Sequence, residues 1–442
     1  MTQIHRRRLL QLSGAGAAAA ATGGLAGILA SGRAPAYAQD RTLHWVRWSD
    51  FVPASDTVLK GQITEECKKA LGFNLQLETI NANDIQARVT SAIQAQTGPD
   101  IVMSVANWPQ IYAASLADMS DVADEIGKAG GGYYDVFKTV CMHDGKWISV
   151  PWACGGGLVA WRKSWLQEVG FDKFPETWDE YRTAGQKLKK NGHPYGQTAG
   201  HTFGDAPGWW YPYLWSWGQK EVEADGKTVA INTPDTVESV KFAVALWKET
   251  MDEGGLSWDD TSNNRAFLSG TISATNNGAS IYLEAKKKPD AYLTDKGEPM
   301  YKDILHASIP SKIGAHFNEP GPFTDMVMGY SKNQKMAKDF LKWVHTKDVF
   351  EIWFKSQQGY TCGATTDYEN DPVWQIDPVM APFKEIPKTG RMVGYAGPPS
   401  QKAGEVRTKY IIVDMYAKAI QGMAAEDSVK WAADELGKVY GA

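Results

Sequence analysis

The sequence predicts an α/β protein of two lobes that enclose a cleft. A chain of 442 residues is too long for one hydrophobic core. Beyond an N-terminal leader it alternates strand and helix in the manner of a doubly wound lobe. That texture is interrupted near residues 155 and 306, where the chain is expected to pass between lobes. On this reading residues 39–155 plus about 306–344 form the N-terminal lobe, and about 156–305 plus 345–442 form the C-terminal lobe.

Residues 1–38 read as an export signal of the twin-arginine type. The basic start His5-Arg6-Arg7-Arg8 leads into Leu9-Leu10, then a Gly/Ala-rich apolar stretch to Ala30, and Ala36-Tyr37-Ala38 offers small residues at both cleavage positions. The stretch is too short and too rich in glycine for a membrane span, which needs about 20 strongly apolar residues. No cysteine follows the cleavage site, so the expected product is a free periplasmic protein and not a lipoprotein. The chain carries 46 Lys and Arg against 51 Asp and Glu. The leader contains four arginines and no acid, so the remainder is more acidic than the formal net charge of −5. That balance argues against nucleic acid and anionic membranes as partners.

The mature part opens with an aromatic and β-branched strand, Leu43 to Trp48. Ser49 to Pro53 breaks it, and a helix is expected through Val58, Ile63 and Cys67. Phe73 to Glu78 alternates as a second strand. Asp84 is expected to cap a helix that buries Ile85, Val89 and Ile93, and Asp100 to Met103 follows as a short buried strand. A hairpin turns at Asp144-Gly145 into Trp147–Trp152. Gly155 to Gly157, chosen for their backbone freedom, mark the first crossing, before a strand from Leu158 to Trp161. Thr177 is a candidate cap for the next helix. Leu305 to Pro310 reads as a strand and the second crossing. Lys335 to His345 reads as a helix with Met336, Phe340, Leu341 and Val344 inward. Two terminal helices follow, one from about Val406 to Ile420 and one carrying Val429, Ala433, Leu436 and Val439.

Four cysteines do not make a disulfide scaffold in a chain of this size. With the hairpin centred at Asp144-Gly145, Cys141 faces about Ile148. Cys154 then lies roughly 20 Å further along at about 3.3 Å per residue, beyond the reach of a bridge. Free or buried thiols are expected.

Several short motifs occur in a familiar order. They are Thr97-Gly98-Pro99-Asp100-Ile101-Val102, Asp144 to Trp152 followed by Leu158 to Lys163, Phe174-Pro175-Glu176-Thr177-Trp178-Asp179-Glu180-Tyr181, Phe267-Leu268-Ser269-Gly270 with Asn276-Asn277-Gly278, and Met336 to Trp343. In this order the chain resembles the carbohydrate-binding solute receptors of ABC importers, the maltose-binding-protein-like family. The resemblance implies the two-lobed periplasmic-binding-protein fold, with an interlobe ligand cleft and hinge crossings. It also implies a ligand that is a sugar, sugar alcohol or short oligosaccharide, delivery to ABC permease subunits, and a monomer. Two departures stand out. Gly359-Tyr360-Thr361-Cys362-Gly363 replaces the family's usual small residue and proline, and Ala153-Cys154-Gly155 lacks the carboxylate with which maltose-binding protein holds its ligand.

A sugar offers a C–H face to an aromatic ring and a rim of hydroxyls to Asn, Asp and Arg. The candidate binding residues follow from that chemistry and from position. Trp48 and Asp50 end the first strand, where doubly wound sheets bind ligands. Asp50 reads equally as a helix cap. Asn107 and Trp108 follow the Gly-Pro-Asp strand at positions that match ligand-binding residues of the family. The run Gly208 to Trp217 packs so many rings together that Trp209, Trp210 or Tyr213 is expected to face the cleft, with Leu214 and Trp217 in the core. Asn276, Asn277 and Gly278 form the Asn-Gly turn, and Phe323 and Tyr360 complete the set. Arg391 reads as a surface ion pair or as a partner for an acidic ligand group.

No Gly-x-Ser-x-Gly, His-Glu-x-x-His or Walker motif occurs, and the eight histidines show no metal-ligand spacing. No catalytic residue, cofactor or metal is assigned. A pair of glycosidase carboxylates would be spatial and so invisible in sequence. A phosphorylated polyol, polyamine or amino-acid receptor on the same fold is the alternative within binding proteins.

Overall fold

The computed structural model describes residues 41–441, so the export signal expected at 1–38 lies outside the described residues. β1 (Thr42–Trp48) is followed by a helical stretch of α1 (Pro53–Val58), a π-helical turn (Leu59–Ile63) and α2 (Thr64–Leu71), then by β2 (Asn74–Ile80). α3 (Ala82–Ala95) leads to β3 (Ile101–Val105) and α4 (Trp108–Tyr112). The cap of α3 is Asn81, whose side chain accepts from the Asn83 amide; Asp84, expected there, sits inside the first turn. The hairpin pairs β4 (Met142–His143) with β5 (Lys146–Trp147), and the Ile148 amide donates to Cys141 O, close to the register expected.

β6 (Val150–Gly155) and β7 (Leu158–Arg162) belong to different sheets, and Gly156-Gly157 joins them. Neither residue, nor Gly155, adopts the left-handed backbone. Crowding is what requires glycine here. A Cβ on Gly156 would lie 2.7 Å from Ile386 Cγ2, and one on Gly157 would lie 2.4 Å from Asn276 Nδ2.

The second lobe continues with α5 (Trp178–Lys190), where Thr177 and Glu180 form a complete capping box. α6 (Asp205–Ser216), α7 (Pro234–Thr250), β8 (Ala274–Asn277) and β9 (Ile304–Ala307) follow. The chain returns to the large sheet as β10 (Gly321–Val327), then runs through α8 (Gln334–Val344) and α9 (Lys347–Ser356) to β11 (Cys362–Gly363). α8 buries Met336, Phe340, Leu341 and Val344, the face expected. α10 (Gln401–Thr408), α11 (Ile411–Ile420) and α12 (Ala425–Tyr440) complete the chain. The single helix expected from Val406 to Ile420 is broken at Tyr410, whose φ of 55° is left-handed.

Besides the β4-β5 pair, a six-stranded sheet has the strand order β11-β6-β10-β3-β1-β2 and a three-stranded sheet the order β8-β7-β9. They correct both expected boundaries of the return segment. β9 still pairs with β7, Ile309 packs in the second core, and the Ser311 and Lys312 amides donate to Glu176 O and Ser216 O. The second crossing therefore lies past 312, just before β10, and not at 306. The first lobe then extends well beyond 344. β11 pairs with β6, and Phe350 and Trp353 each bring a ring to 5.0 Å from Trp152. Second-core packing resumes at Val393.

Candidate functional site

The ends of β1 and β3, the start of β10 and the glycine crossing converge on one cavity of about 110 Å³. This is the carboxyl edge of the parallel β1–β3 pair, the place where open α/β sheets take ligands. Trp48 forms its aromatic centre. Phe323, Phe51 and Phe203 stand around it edge-on, with centroids 4.7, 5.6 and 5.7 Å away. Tyr360 closes one side, its ring against Gly278, where a Cβ would approach it to 3.1 Å.

Polar groups complete the lining. Asp260 accepts from the Phe203, Gly204 and Asp205 amides at 2.8, 3.1 and 2.8 Å. It thereby satisfies donors that the start of α6 leaves unpaired and sits at the positive end of that helix. Asp205 is half-buried next to it, and its Oδ2, shielded from solvent, has no partner. Burial, then the Asp260 charge, holds the Asp205 carboxyl well above the usual carboxylate range, toward the neutral acid. Glu319 and Arg407 form a buried bidentate pair, with Nε to Oε1 at 2.5 Å and Nη2 to Oε2 at 3.2 Å. Asn276 receives Val159 as its register partner, donates Nδ2 to Gly208 O at 3.1 Å, and leaves Oδ1 unpaired. Trp48 Nε1 is likewise buried without a partner.

Of the residues singled out in the sequence, Trp48, Asn276, Asn277, Gly278, Phe323 and Tyr360 line this cavity. The amide of Asn277 is already engaged, by Asn264 and by Ser280 Oγ at 2.9 Å. The others lie elsewhere. Asp50 uses its oxygens on the Val52 amide, Ser55 Oγ and Gln357 Nε2, and so ties α1 to the segment after α9. Asn107 is buried at the start of α4 and Trp108 sits one ring back from the cavity, edge-on to Phe203 at 5.7 Å. Trp209, Trp210 and Tyr213 are core residues. Trp209 packs edge-on against Trp178, Trp210 stacks on Tyr416 and donates to Thr198 O, and Tyr213 donates to Ser239 O. Arg391 lies outside the cavity lining. It stacks over Phe317, 3.6 Å from the ring centroid, and over Tyr395.

Phe203, Asp205, Asp260, Glu319 and Arg407 escaped the sequence reading. Glu319 stands two residues before Gly321-Pro322-Phe323, and Asp205 opens the helix that carries the aromatic run, so both lay beside segments already marked. Arg407 sits mid-helix with no local signal. All four cysteines are free and buried. Among the described residues there is no group of His, Cys, Asp and Glu able to hold a metal, and no helix long and apolar enough to cross a membrane.

The chain is similar to known proteins over most of its length. The family model described as bacterial extracellular solute-binding protein matches residues 62–382. A probable ABC transporter-binding protein of Deinococcus radiodurans is 24% identical over 321 residues, 66% of this chain and 70% of that one. A maltose-bound T. maritima protein superposes with a TM-score of 0.73 at 20% identity, covering 89% of this chain and 98% of that one. A ribitol-bound ABC solute-binding protein of Agrobacterium radiobacter gives 0.70 at 20% identity over 90% and 98%. A sugar transporter protein of Arthrobacter chlorophenolicus with bound laminaribiose gives 0.73 at 18% over 90% and 99%. With the family model covering most of its residues, this chain belongs to the bacterial extracellular solute-binding proteins.

Proposed function

We propose that this chain is the exported receptor of an ABC importer and closes its lobes on a sugar, sugar alcohol or short oligosaccharide. The observation that carries this reading is the set of unpaired buried polar atoms on cavity residues. Trp48 Nε1 is a donor, while Asp205 Oδ2 and Asn276 Oδ1 are acceptors, and all three residues line the cavity. A buried polar atom without a partner costs roughly 1–3 kcal/mol. A ligand whose hydroxyls donate and accept, and whose C–H face lies on Trp48 and Phe323, removes that cost. The ligands carried by similar structures, maltose, ribitol and laminaribiose, have this chemistry.

Three carboxylates on the wall invite an amine ligand instead. Glu319 is paired with Arg407, Asp260 is satisfied by three amides, and Asp205 leans to the neutral acid, so little uncompensated negative charge faces the cavity. The polyol reading is therefore favoured over the polyamine one. The leader at 1–38 supports export by the twin-arginine route as a free periplasmic protein, which then works as a monomer against the permease.

The test is a thermal-shift screen of the mature protein against sugars, polyols, sugar phosphates, polyamines and amino acids. A ligand at 100 times its Kd adds about 2.7 kcal/mol, enough to move Tm by a few degrees. A shift with a sugar or polyol is expected, abolished by Trp48→Ala. A shift confined to polyamines, phosphates or amino acids overturns the ligand class.

A further inference from the structure

Cys154 and Cys362 face each other across two neighbouring strands. β11 lies at the edge of the large sheet, antiparallel to β6, and Cys362 is the register partner of Cys154 as Gly363 is of Ala153. Residues directly opposed in an antiparallel pair hold their Cα atoms about 4.5–5.5 Å apart with side chains on one face. That spacing falls inside the ~4.4–6.8 Å window of a disulfide. Both thiols are buried, and the Cys362 side chain interacts with that of Cys154 while donating to Phe383 O at 3.0 Å. Cys67 lies in α2 and Cys141 at the end of a helix, and neither has a cysteine opposite it.

We propose that Cys154 and Cys362 are an oxidisable pair that closes to a disulfide outside the reducing cytoplasm and staples β11 to β6. Closure joins the two Sγ atoms and releases two protons and two electrons. A disulfide-bearing oxidant takes these up and becomes two thiols, by way of a mixed disulfide that the second cysteine resolves. Burial and the neighbouring thiol keep Cys362 protonated, and the thiolate is the attacking species. Closure in the folded chain therefore waits on opening of the two-residue edge strand and is slow at neutral pH. The staple acts close to the cavity. β6 runs directly into the glycine crossing, and Tyr360 stands two residues before Cys362, so the bridge fixes two elements of the cavity wall.

The full chain, purified reduced, is exposed to oxidised glutathione at pH 8.5, and in parallel refolded from denaturant in a glutathione redox buffer. Each sample is acid-quenched, denatured, alkylated and digested for mass spectrometry. The expected result is a peptide pair linking Cys154 to Cys362, with Cys67 and Cys141 alkylated. Tm should also rise by about 5 °C, a gain that a reductant reverses. Cys67→Ser with Cys141→Ser keeps the bridge, and Cys362→Ser abolishes it. Four alkylated thiols in both samples, a bridge through Cys67 or Cys141, or glutathione adducts alone would overturn the proposal.

Discussion

Asp205 is half-buried with its Oδ2 unpaired, and its neighbour Asp260 takes the amides of Phe203, Gly204 and Asp205 at the start of α6. Burial and that neighbouring charge leave it leaning to the neutral acid, which can both donate and accept. An amide shares this ability, whereas a methyl group does not. Asp205→Asn should therefore hold the affinity for the ligand found in the thermal-shift screen within a few-fold. Asp205→Ala should weaken it by about 1–3 kcal/mol, roughly 5- to 150-fold, by calorimetry. Equal losses in the two variants would show that the charged carboxylate is the binding form. At this scale the sequence reveals residue types but not their partners. Trp48 and Asn276 were legible because their motifs put them at strand ends. Asp50 read equally well as ligand contact and as cap, and only its three engaged hydrogen bonds decide between them.

The aromatic run of α6 shows why a count of rings misleads. One face of a helix cannot bury so many, but α6 is covered on several sides and is buried almost all round. Trp209 meets Trp178 of α5, Trp210 lies between Tyr416 of α11 and Trp247 of α7, and Tyr213 lies on Trp178 and Tyr416. The partners come from α11 some 200 residues downstream, a contact that no local pattern encodes. Trp210→Ala should cost about 3–5 kcal/mol of stability in denaturant unfolding and leave ligand affinity unchanged at temperatures where the protein stays folded. The glycine crossing should give the converse result. Its location was legible in the sequence, but its cause was not, because the requirement is space beside Asn276 and not backbone freedom. Gly157→Ala places a Cβ where Asn276 Nδ2 stands, so Asn276 must move. Affinity should fall at least tenfold, against a stability loss of about 1–3 kcal/mol. A normal affinity would show that Asn276 does not hold ligand.

At the scale of the whole molecule, the two-lobed α/β class was legible because long amphipathic helices and apolar strands carry their own periodicity. The return segment was not. β11 has two residues and β10 joins β3 and β6 in antiparallel register, so their places depend on pairing with strands far off in sequence. The same assembly buries carboxyl groups whose cost is a property of the fold. Glu221 is fully buried with both oxygens unpaired, and burial raises its pKa from 4.5 to about 7. Asp325, on β10 of the large sheet, lies 4.0 Å from Arg47 and accepts from Trp45 Nε1, and burial outweighs both, raising it from 3.8 to about 6. A carboxyl raised in the folded state binds its proton more tightly there than in the unfolded chain. Its stabilising contribution is full below the unfolded value and is lost as pH climbs through the folded one. For Glu221 the loss runs from about pH 4.5 to 7 and amounts to at most about 3 kcal/mol. Glu221→Gln carries no titrating proton, so its Tm should fall less than that of the parent between pH 4.5 and 7.5. Parallel Tm profiles for the two proteins would mean that Glu221 is ionised in the fold and finds a partner there.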